Sequence, residues 1–89
     1  MPNVELRISE EFSASLADIY SERVLGRIWD ALNNLRSFPE MGSARVRRCL
    51  TDQYGEDLRQ ISISTFLIVY RYDGHVVDVL ALVYGPSVV

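Results

Sequence analysis

Arginine side chains are the groups in this sequence best suited to binding chemistry, and they cluster in its second half. All nine cationic residues are arginine, and lysine is absent. Arg45, Arg47 and Arg48 fall within four residues, and Arg59 follows. Guanidinium groups clamp phosphate well, but with a pKa above about 12 they are very poor general bases. The cluster indicates an anion-binding edge, or alternatively a solvated loop that pairs with acidic residues.

Other reactive side chains are few. His75 follows a glycine turn and has no second histidine to help it, so neither a metal site nor any cofactor is expected. Cys49 lies next to Arg48, which could lower the pKa of its thiol, but a small buried thiol is the better interpretation. Tyr54 is expected to be exposed in a polar loop, where it could stack on a base. Trp29 is expected between helix and sheet, with a dimer or partner contact as the alternative.

The bulk composition predicts a single domain over residues 1–89. Hydrophobic residues make up 48% of the chain, which favours a compact globule over disorder. No apolar run reaches the roughly 18 residues of a membrane span, and the N-terminus lacks the pattern of a signal peptide. One cysteine excludes an internal disulfide, so a cytoplasmic location is expected. The net charge of -3 argues against a chain that binds nucleic acid over its whole surface.

The first half of the chain carries the elements that must position these groups. Residues 4–8 alternate between apolar and charged side chains, which predicts a half-buried strand. Ser9 is then well placed as the N-cap of a short amphipathic helix over residues 10–20. The same signal restarts at Ser21 and predicts a second, longer helix. That helix must end at Phe38-Pro39, because the residue before a proline is pushed away from helical angles.

The second half reads as strands. They are predicted over residues 45–50 (a strand or its approach), 58–64, 66–72 and 75–84. A polar loop covers Thr51–Asp57, and Asp73-Gly74 is a strong signal for a two-residue hairpin turn. The last strand, Val76–Val83, is apolar on both faces and therefore needs cover on both. Because a chain this short rarely supplies two cores, we expect either an exposed apolar face or a partner that covers it.

Three local patterns, taken in order, are similar to the RelE/ParE superfamily of bacterial toxins from type II toxin-antitoxin systems. Leu35-x-x-x-Pro39-x-x-Gly42 resembles the family's helix exit, and Leu58-Arg59 resembles its strand-borne arginine. Phe66-Leu67-Ile68-Val69-Tyr70-Arg71 resembles its "Y-x-I-x-Y-R" strand, and the hairpin and the strand Val79–Val83 fall where the family places its last strand. The resemblance extends from Val4 to about Gly85.

The resemblance implies an α+β fold of order β-α-α-β-β-β. An N-terminal strand is followed by a helical hairpin that packs on one face of a small antiparallel β-sheet. The opposite face and groove are where the family binds the C-terminal segment of a cognate antitoxin, which makes that protein the expected partner, in a hetero-oligomer or beside a homodimer. Growth inhibition and plasmid stabilisation are the associated roles. For the isolated chain we expect poor solubility or dimerisation, because of its second apolar face.

The superfamily has two different functions, and both remain possible for this chain. RelE-like members are ribosome-dependent endoribonucleases that cleave messenger RNA, and here that activity would use Arg47, Arg48, Arg59 and Tyr84. ParE-like members instead inhibit DNA gyrase and have no known need of a hydrolytic site. Arginines stand here roughly where the nuclease lysines would be, and the end of the chain, Tyr84–Val89, carries no cation. Proton transfer would fall to His75, Tyr84, Tyr70 or a carboxylate.

A ParE-like inhibitor, and not an enzyme, is therefore the favoured interpretation. A degenerate member that binds antitoxin without toxicity is the third alternative. The residues expected to bind antitoxin or target are Arg45, Arg47, Arg48, Arg59 and Arg71. Two of them have structural alternatives: a cross-strand salt bridge for Arg59, and packing at the sheet edge for Arg71, which shares its strand motif with Tyr70.

Overall fold

A computed structural model describes residues 4–87 of the chain. Its elements, in chain order, are β1 (Glu5–Ile8), α1 (Glu10–Ala17), α2 (Glu22–Ser37), α3 (Arg48–Tyr54), β2 (Leu58–Ile63), β3 (Phe66–Tyr72), β4 (Val76–Tyr84) and a terminal 3-10 turn, Gly85–Ser87. Residues 1–3 and 88–89 lie outside the described residues, so the structure does not bear on the expectations about a signal peptide or about the last two residues. The α+β fold expected from the sequence is confirmed.

The four strands form one sheet in the order β1-β4-β3-β2. β2, β3 and β4 pair antiparallel, as predicted, with Leu58 opposite Arg71 and Arg71 opposite Asp78. The hairpin at Asp73-Gly74 was predicted, and a second one joins β2 to β3. β1 lies parallel to β4, so the sheet is mixed instead of wholly antiparallel. The reason is connectivity: a tight hairpin forces antiparallel pairing, whereas the long crossover through the helices leaves β1 free to run parallel.

Serine caps begin both long helices where the sequence predicts. The Ser9 hydroxyl oxygen accepts a hydrogen bond from the Phe12 amide at 3.0 Å, and that of Ser21 accepts one from Val24 at 3.3 Å. Each cap satisfies one of the backbone donors left unpaired at a helix start. The Ser9 hydroxyl also donates to the Leu80 carbonyl at 2.7 Å, which ties the start of α1 to β4. α1 ends earlier than predicted, at Ala17.

The main core lies between these helices and one face of the sheet. Its fully buried side chains come from α1, α2, β3 and β4, and include Phe12, Ile28, Leu32, Leu35, Ile68, Tyr70, Val77 and Val79. Trp29 was expected in this core, but its side chain is 54% exposed. Trp29 is rotated about 100° around the helix axis from Ile28, in the direction opposite to Ala31. Because Ile28 and Ala31 face the core, the Trp29 side chain points away from the sheet.

The second face of the sheet is covered by α3, which the sequence analysis missed. Residues 45–50 were predicted as a strand, but the chain enters a helix at Arg48. Leu50 and Tyr54, one helical turn apart in α3, pack on this face together with Val46, which precedes the helix. Cys49, expected to be buried, lies on the solvent side of the same helix.

A second buried cluster therefore exists at the centre of that face. It consists of Leu50, Leu58, Val69 and Ala81, each no more than 4% exposed. The expectation that so short a chain could not cover both faces is wrong for this centre, because α3 inserts Leu50 against the strands. Leu67, Leu80 and Val83 surround the cluster and are only partly buried, so the cover is incomplete.

Candidate functional site

The loop after α2 is held to the sheet by the phenol group of Tyr70. This hydroxyl donates a hydrogen bond to the Pro39 carbonyl and accepts one from the Gly42 amide, both at 2.9 Å. Tyr70 is completely buried, and that burial raises the pKa of its hydroxyl. A phenol that is enclosed and bonded on both sides is poorly placed to exchange protons with a substrate, so the geometry gives Tyr70 the packing role considered for it.

Arg59 on β2 reinforces the same loop. Its Nη1 donates to the carbonyl oxygens of Glu40 at 3.1 Å and Gly42 at 2.9 Å. A cross-strand salt bridge was one alternative for this residue, but no ion pair joins it to a carboxylate within residues 4–87. Arg59 therefore keeps its full positive charge, with its Nε and Nη2 donors left for other contacts.

Arg71, on the neighbouring strand β3, holds the next loop. Its Nη2 donates to the Tyr54 carbonyl at 2.6 Å, and its Nε donates to the Glu56 carbonyl at 3.2 Å. The guanidinium lies against Gly55, where an added Cβ would come within 2.7 Å of Nη2 and where φ is +101°. Only glycine suits a position that combines this backbone angle with such close approach. Here too the contacts are to backbone carbonyls, which leave the cationic charge uncompensated.

Both arginines are among the residues that line one groove at the end of the sheet. This arginine groove has a volume of about 320 Å³ and is lined by Ala44, Asp57, Leu58, Arg59, Arg71 and Tyr72. Of the predicted site residues, Arg59 and Arg71 lie on paired strands but on opposite faces of the sheet: Arg59 shares the face of Tyr70, and Arg71 shares the face of Leu58. Each guanidinium is held by backbone carbonyls and has N–H groups left to bind an anionic group.

Arg45, Arg47 and Arg48 are all exposed, in the segment that leads from Ala44 into α3. Arg47 is the N-cap residue of α3 without a side-chain capping bond, and Arg48 is its first residue. Cations at a helix N-terminus oppose the helix dipole, so these residues do not stabilise α3. The only salt bridge within residues 4–87 joins Arg7 to Glu5, which leaves this cluster without an acidic partner in that range.

An apolar groove, which the sequence analysis did not identify, adjoins the arginine groove. It has a volume of about 460 Å³ and is lined by Ser37, Phe38, Pro39, Glu40, Met41 and Tyr72. Phe38 is 64% exposed and Met41 is 46% exposed, which is unusual for large apolar side chains this close together. Tyr72 lines both grooves, so they are neighbours. Phe38 and Met41 flank the proline of the helix exit, and that clustering was the available signal.

Tyr84 lies towards the other end of the sheet from the arginine groove. It pairs with Phe66 across β3 and β4, whereas Arg59 pairs with Tyr70, four residues further along β3. That separation is roughly 13 Å along the strand. The Tyr84 ring makes an edge-to-face contact with Phe66, at a centroid distance of 5.9 Å. The β3-β4 register therefore keeps Tyr84 away from Arg59, its proposed partner in the nuclease interpretation.

The remaining candidates lie outside both grooves. His75 is exposed in the β3-β4 turn, where its amide and that of Val76 donate to the Asp73 carboxylate and lower the pKa of that group. Residues 4–87 hold no cluster of potential ligands able to bind a metal ion. Tyr54, expected to be exposed, is partly buried at the end of α3 and donates a hydrogen bond to Glu11. Burial, together with that bond, raises the pKa of Tyr54 to about 12.

A comparison with known protein families identifies the family of this chain. A family model described as the ParE toxin of the type II toxin-antitoxin system parDE matches residues 6–85. The match runs from β1 to the end of β4 and includes the Pro39-Gly42 loop, Arg59 and the Tyr70-Arg71 pair, so the chain belongs to this family. Comparison with curated proteins found no match. No helix in the described part of the chain is long and apolar enough to cross a membrane.

Proposed function

We propose that this member of the ParE toxin family inhibits growth by binding DNA gyrase and is neutralised by a cognate antitoxin. The observation that carries the proposal is the lining of the arginine groove, which includes two cationic side chains, Arg59 and Arg71, and neither histidine nor lysine among the described residues. Arg59 and Arg71 are fixed by backbone carbonyls and keep their charges. Such a groove can bind an anionic group, but arginine is a very poor general base, and the other ionisable side chains of the lining are only Asp57 and Tyr72.

The same geometry disfavours the RelE-like ribonuclease, which is the alternative function. Cleavage of RNA by attack of a ribose hydroxyl needs a group that removes a proton and another that returns it. Tyr70 is buried and bonded, and Tyr84 pairs at the far end of β3. The carboxylate of Asp57 lines the groove, but a negative charge there repels the phosphate that the arginines would bind. A non-toxic member that only binds antitoxin is the remaining alternative.

Antitoxin binding is supported by the exposed apolar side chains beside the arginines. Phe38 and Met41 are costly to leave in water, and a partner segment that covers them gains the free energy of apolar burial. The exposed cluster of Arg45, Arg47 and Arg48 adds charge that an acidic segment would complement. Because gyrase is found in the cytoplasm, the proposed inhibition would take place there.

Induced expression in a bacterial host tests the proposal. Messenger RNA integrity and the topology of a reporter plasmid are read from one culture. We expect intact RNA, filamenting cells and gyrase-linked DNA breaks. Rapid, codon-linked RNA cleavage would establish the ribonuclease instead, and normal growth with abundant folded protein would favour the non-toxic binding module.

A charge-matched pair of variants sharpens the result. Arg47→Ala combined with Arg48→Ala removes two exposed cations next to α3. Toxicity should change little if gyrase is the target and should disappear if RNA is cleaved. Antitoxin binding should survive at reduced affinity, because the apolar groove is unchanged. The control is Arg23→Ala combined with Arg36→Ala, which removes two exposed cations from α2.

A further inference from the structure

The outward face of α2 carries a tryptophan that the described part of the chain leaves half exposed. Trp29 is 54% exposed, although tryptophan is among the side chains that gain most free energy from leaving water. Gly26 and Asn33, about one helical turn before and after it, are exposed too. A methyl group added at Gly26 would meet no atom within 4 Å. Within residues 4–87, an open strip therefore runs along this helix, with a large apolar side chain at its centre.

Two charged residues lie at equal distances on either side of Trp29. Glu22 precedes it by seven residues and Arg36 follows it by seven, and both are exposed. Seven residues are almost two turns of an α-helix, so the three side chains lie within about 20° of one line along the helix. Glu22 is in the first turn and Arg36 in the last, where the helix dipole favours their charges. The dipole does not account for an exposed tryptophan midway between them.

The order of these side chains makes the strip complementary to itself. In two antiparallel copies of α2 that cross at Trp29, the residue seven before the crossing faces the residue seven after it. Glu22 of each copy then faces Arg36 of the other, which gives two ion pairs related by a two-fold axis. A parallel pair would instead bring like charges together, which repel. Gly26 has no side chain beyond the backbone, so it leaves room for the indole of the other copy.

We propose that this face of α2 binds a second copy of the same chain, as an antiparallel helix pair with Trp29 at the two-fold axis. The helix has 16 residues and is therefore about 24 Å long and about 10 Å wide. Such a contact is smaller than the roughly 1,200 Å² at which stable interfaces begin, so we expect a reversible dimer with a Kd on the order of 100 µM. Glu22, Trp29 and Arg36 line neither groove, and the dimer does not depend on the proposed function.

Trp29 itself reports the contact, because the chain has one tryptophan. The test follows the fluorescence and the sedimentation equilibrium of the full chain from about 1 µM to about 1 mM, a range that spans the expected Kd. The emission should move to shorter wavelength as dimers form, because the indole leaves water. Phe38→Ser combined with Met41→Ser, which removes the apolar side chains of the apolar groove, should keep this shift. Dimers with unchanged Trp29 emission, or a monomer throughout, would overturn the proposal.

Charge reversal distinguishes the antiparallel pair from a general apolar contact. Glu22→Arg makes both charged positions of the strip positive, and Arg36→Glu makes both negative. Each variant alone should therefore dimerise at least tenfold more weakly than the wild type, with like charges facing each other. A one-to-one mixture of the two should dimerise again, because each copy supplies the charges that the other lacks. An effect on folding cannot be reversed by mixing, so a mixture that stays monomeric would overturn the proposal.

Matched controls carry the same changes of charge outside the strip. Arg23→Glu and Asp30→Arg alter exposed residues of α2 that lie about 100° or more around the helix from Trp29. Both should dimerise like the wild type, whereas Trp29→Gln should weaken sedimentation of the dimer at least tenfold. Circular dichroism checks that each variant keeps its helices. A loss of dimers in Arg23→Glu equal to that in Arg36→Glu would show that net charge decides association, and would also overturn the proposal.

Discussion

The phenol of Tyr70 accepts a hydrogen bond from the backbone amide of Gly42 and joins the middle of the sheet to the loop that follows α2. The bond is 2.9 Å long and spans 28 residues of sequence. It positions the loop that carries Phe38 and Met41, so the apolar groove depends on it. Two sequence patterns that looked separate, the helix exit and the Tyr70-Arg71 strand, are therefore one structural unit.

Removing the Tyr70 hydroxyl should destabilise this unit. Tyr70→Phe leaves the Gly42 amide and the Pro39 carbonyl without their partner, and unpaired buried polar groups cost about 1–3 kcal/mol. Urea denaturation should show a loss of that size in the free energy of unfolding. The control is Tyr72→Phe. The Tyr72 hydroxyl donates an exposed hydrogen bond to the Gly74 carbonyl, so its removal should change the free energy of unfolding by less than about 0.5 kcal/mol. Equal losses in the two variants would contradict the structural role of Tyr70.

Replacing Gly42 with alanine should destabilise the fold, whereas the same replacement at Gly26 should stabilise it. A Cβ on Gly42 would lie 2.6 Å from the Tyr70 hydroxyl oxygen and 2.9 Å from the Gln60 carbonyl, so Gly42→Ala should destabilise the fold by about 1–3 kcal/mol. Gly26 lies inside α2, and a methyl group added there would meet no atom within 4 Å. Gly26→Ala should therefore stabilise the protein by about 0.5–1 kcal/mol, the usual helix preference for alanine. Chemical denaturation of the two variants measures the change in the free energy of unfolding, which should be negative for Gly42→Ala and positive for Gly26→Ala.

Local sequence signals were sufficient where short-range chemistry decides the structure. Ser9 and Ser21 start their helices as predicted, and the Asp73-Gly74 turn joins β3 to β4. The direction of β1 depends on pairing with a strand about seventy residues later, which no local pattern records. α3 was missed for another reason: Val46 and Leu50 fit both a strand and a helix when only residues 45–50 are considered.

The candidate site was predictable in its charges but not in its shape. The sequence indicated Arg59 and Arg71 as binding residues, which stays a prediction; both line one groove, from opposite faces of the sheet. It could not indicate that each would be held by backbone carbonyls, because those partners lie in loops whose path depends on the whole fold. The exposure of Phe38 and Met41 likewise follows from the loop that Tyr70 fixes, and composition alone suggests core residues at both positions.

α3 should be the least stable helix, because it is the shortest of the α-helices within residues 4–87 and its N-cap residue Arg47 makes no side-chain capping bond. Leu50 is 3% exposed, and Leu50→Ala should lower the free energy of unfolding by about 2 kcal/mol. It should also speed hydrogen exchange at the Gly55 amide, which bonds to Thr51 within α3. Cys49→Ala alters the exposed neighbour and should do neither. Slow exchange at Gly55 in Leu50→Ala would show that other contacts hold the helix.

Tyr54 should make the stability of the fold fall at high pH. Its pKa is raised from 10.0 to about 12, so the folded state resists ionisation that the unfolded state undergoes more readily. The stabilising contribution is complete below about pH 10 and is lost as the pH rises towards 12. Tyr54→Phe lacks this group, and its free energy of unfolding should fall less over that window. Glu11→Gln keeps a hydrogen-bond acceptor but removes the charge, so its slope should lie between the two.

Exposed apolar side chains of the apolar groove should make the isolated chain self-associate. Phe38 and Met41 are exposed on one continuous surface, and contact between two copies would remove both from water. Sedimentation at increasing concentration should show dimers or larger species, and the dye 1-anilinonaphthalene-8-sulfonate should bind. Phe38→Ser combined with Met41→Ser should reduce both signals, whereas Tyr20→Ser, at a 91% exposed residue outside the groove, should reduce neither. A wild-type chain that stays monomeric and binds no dye would show that the groove does not drive association.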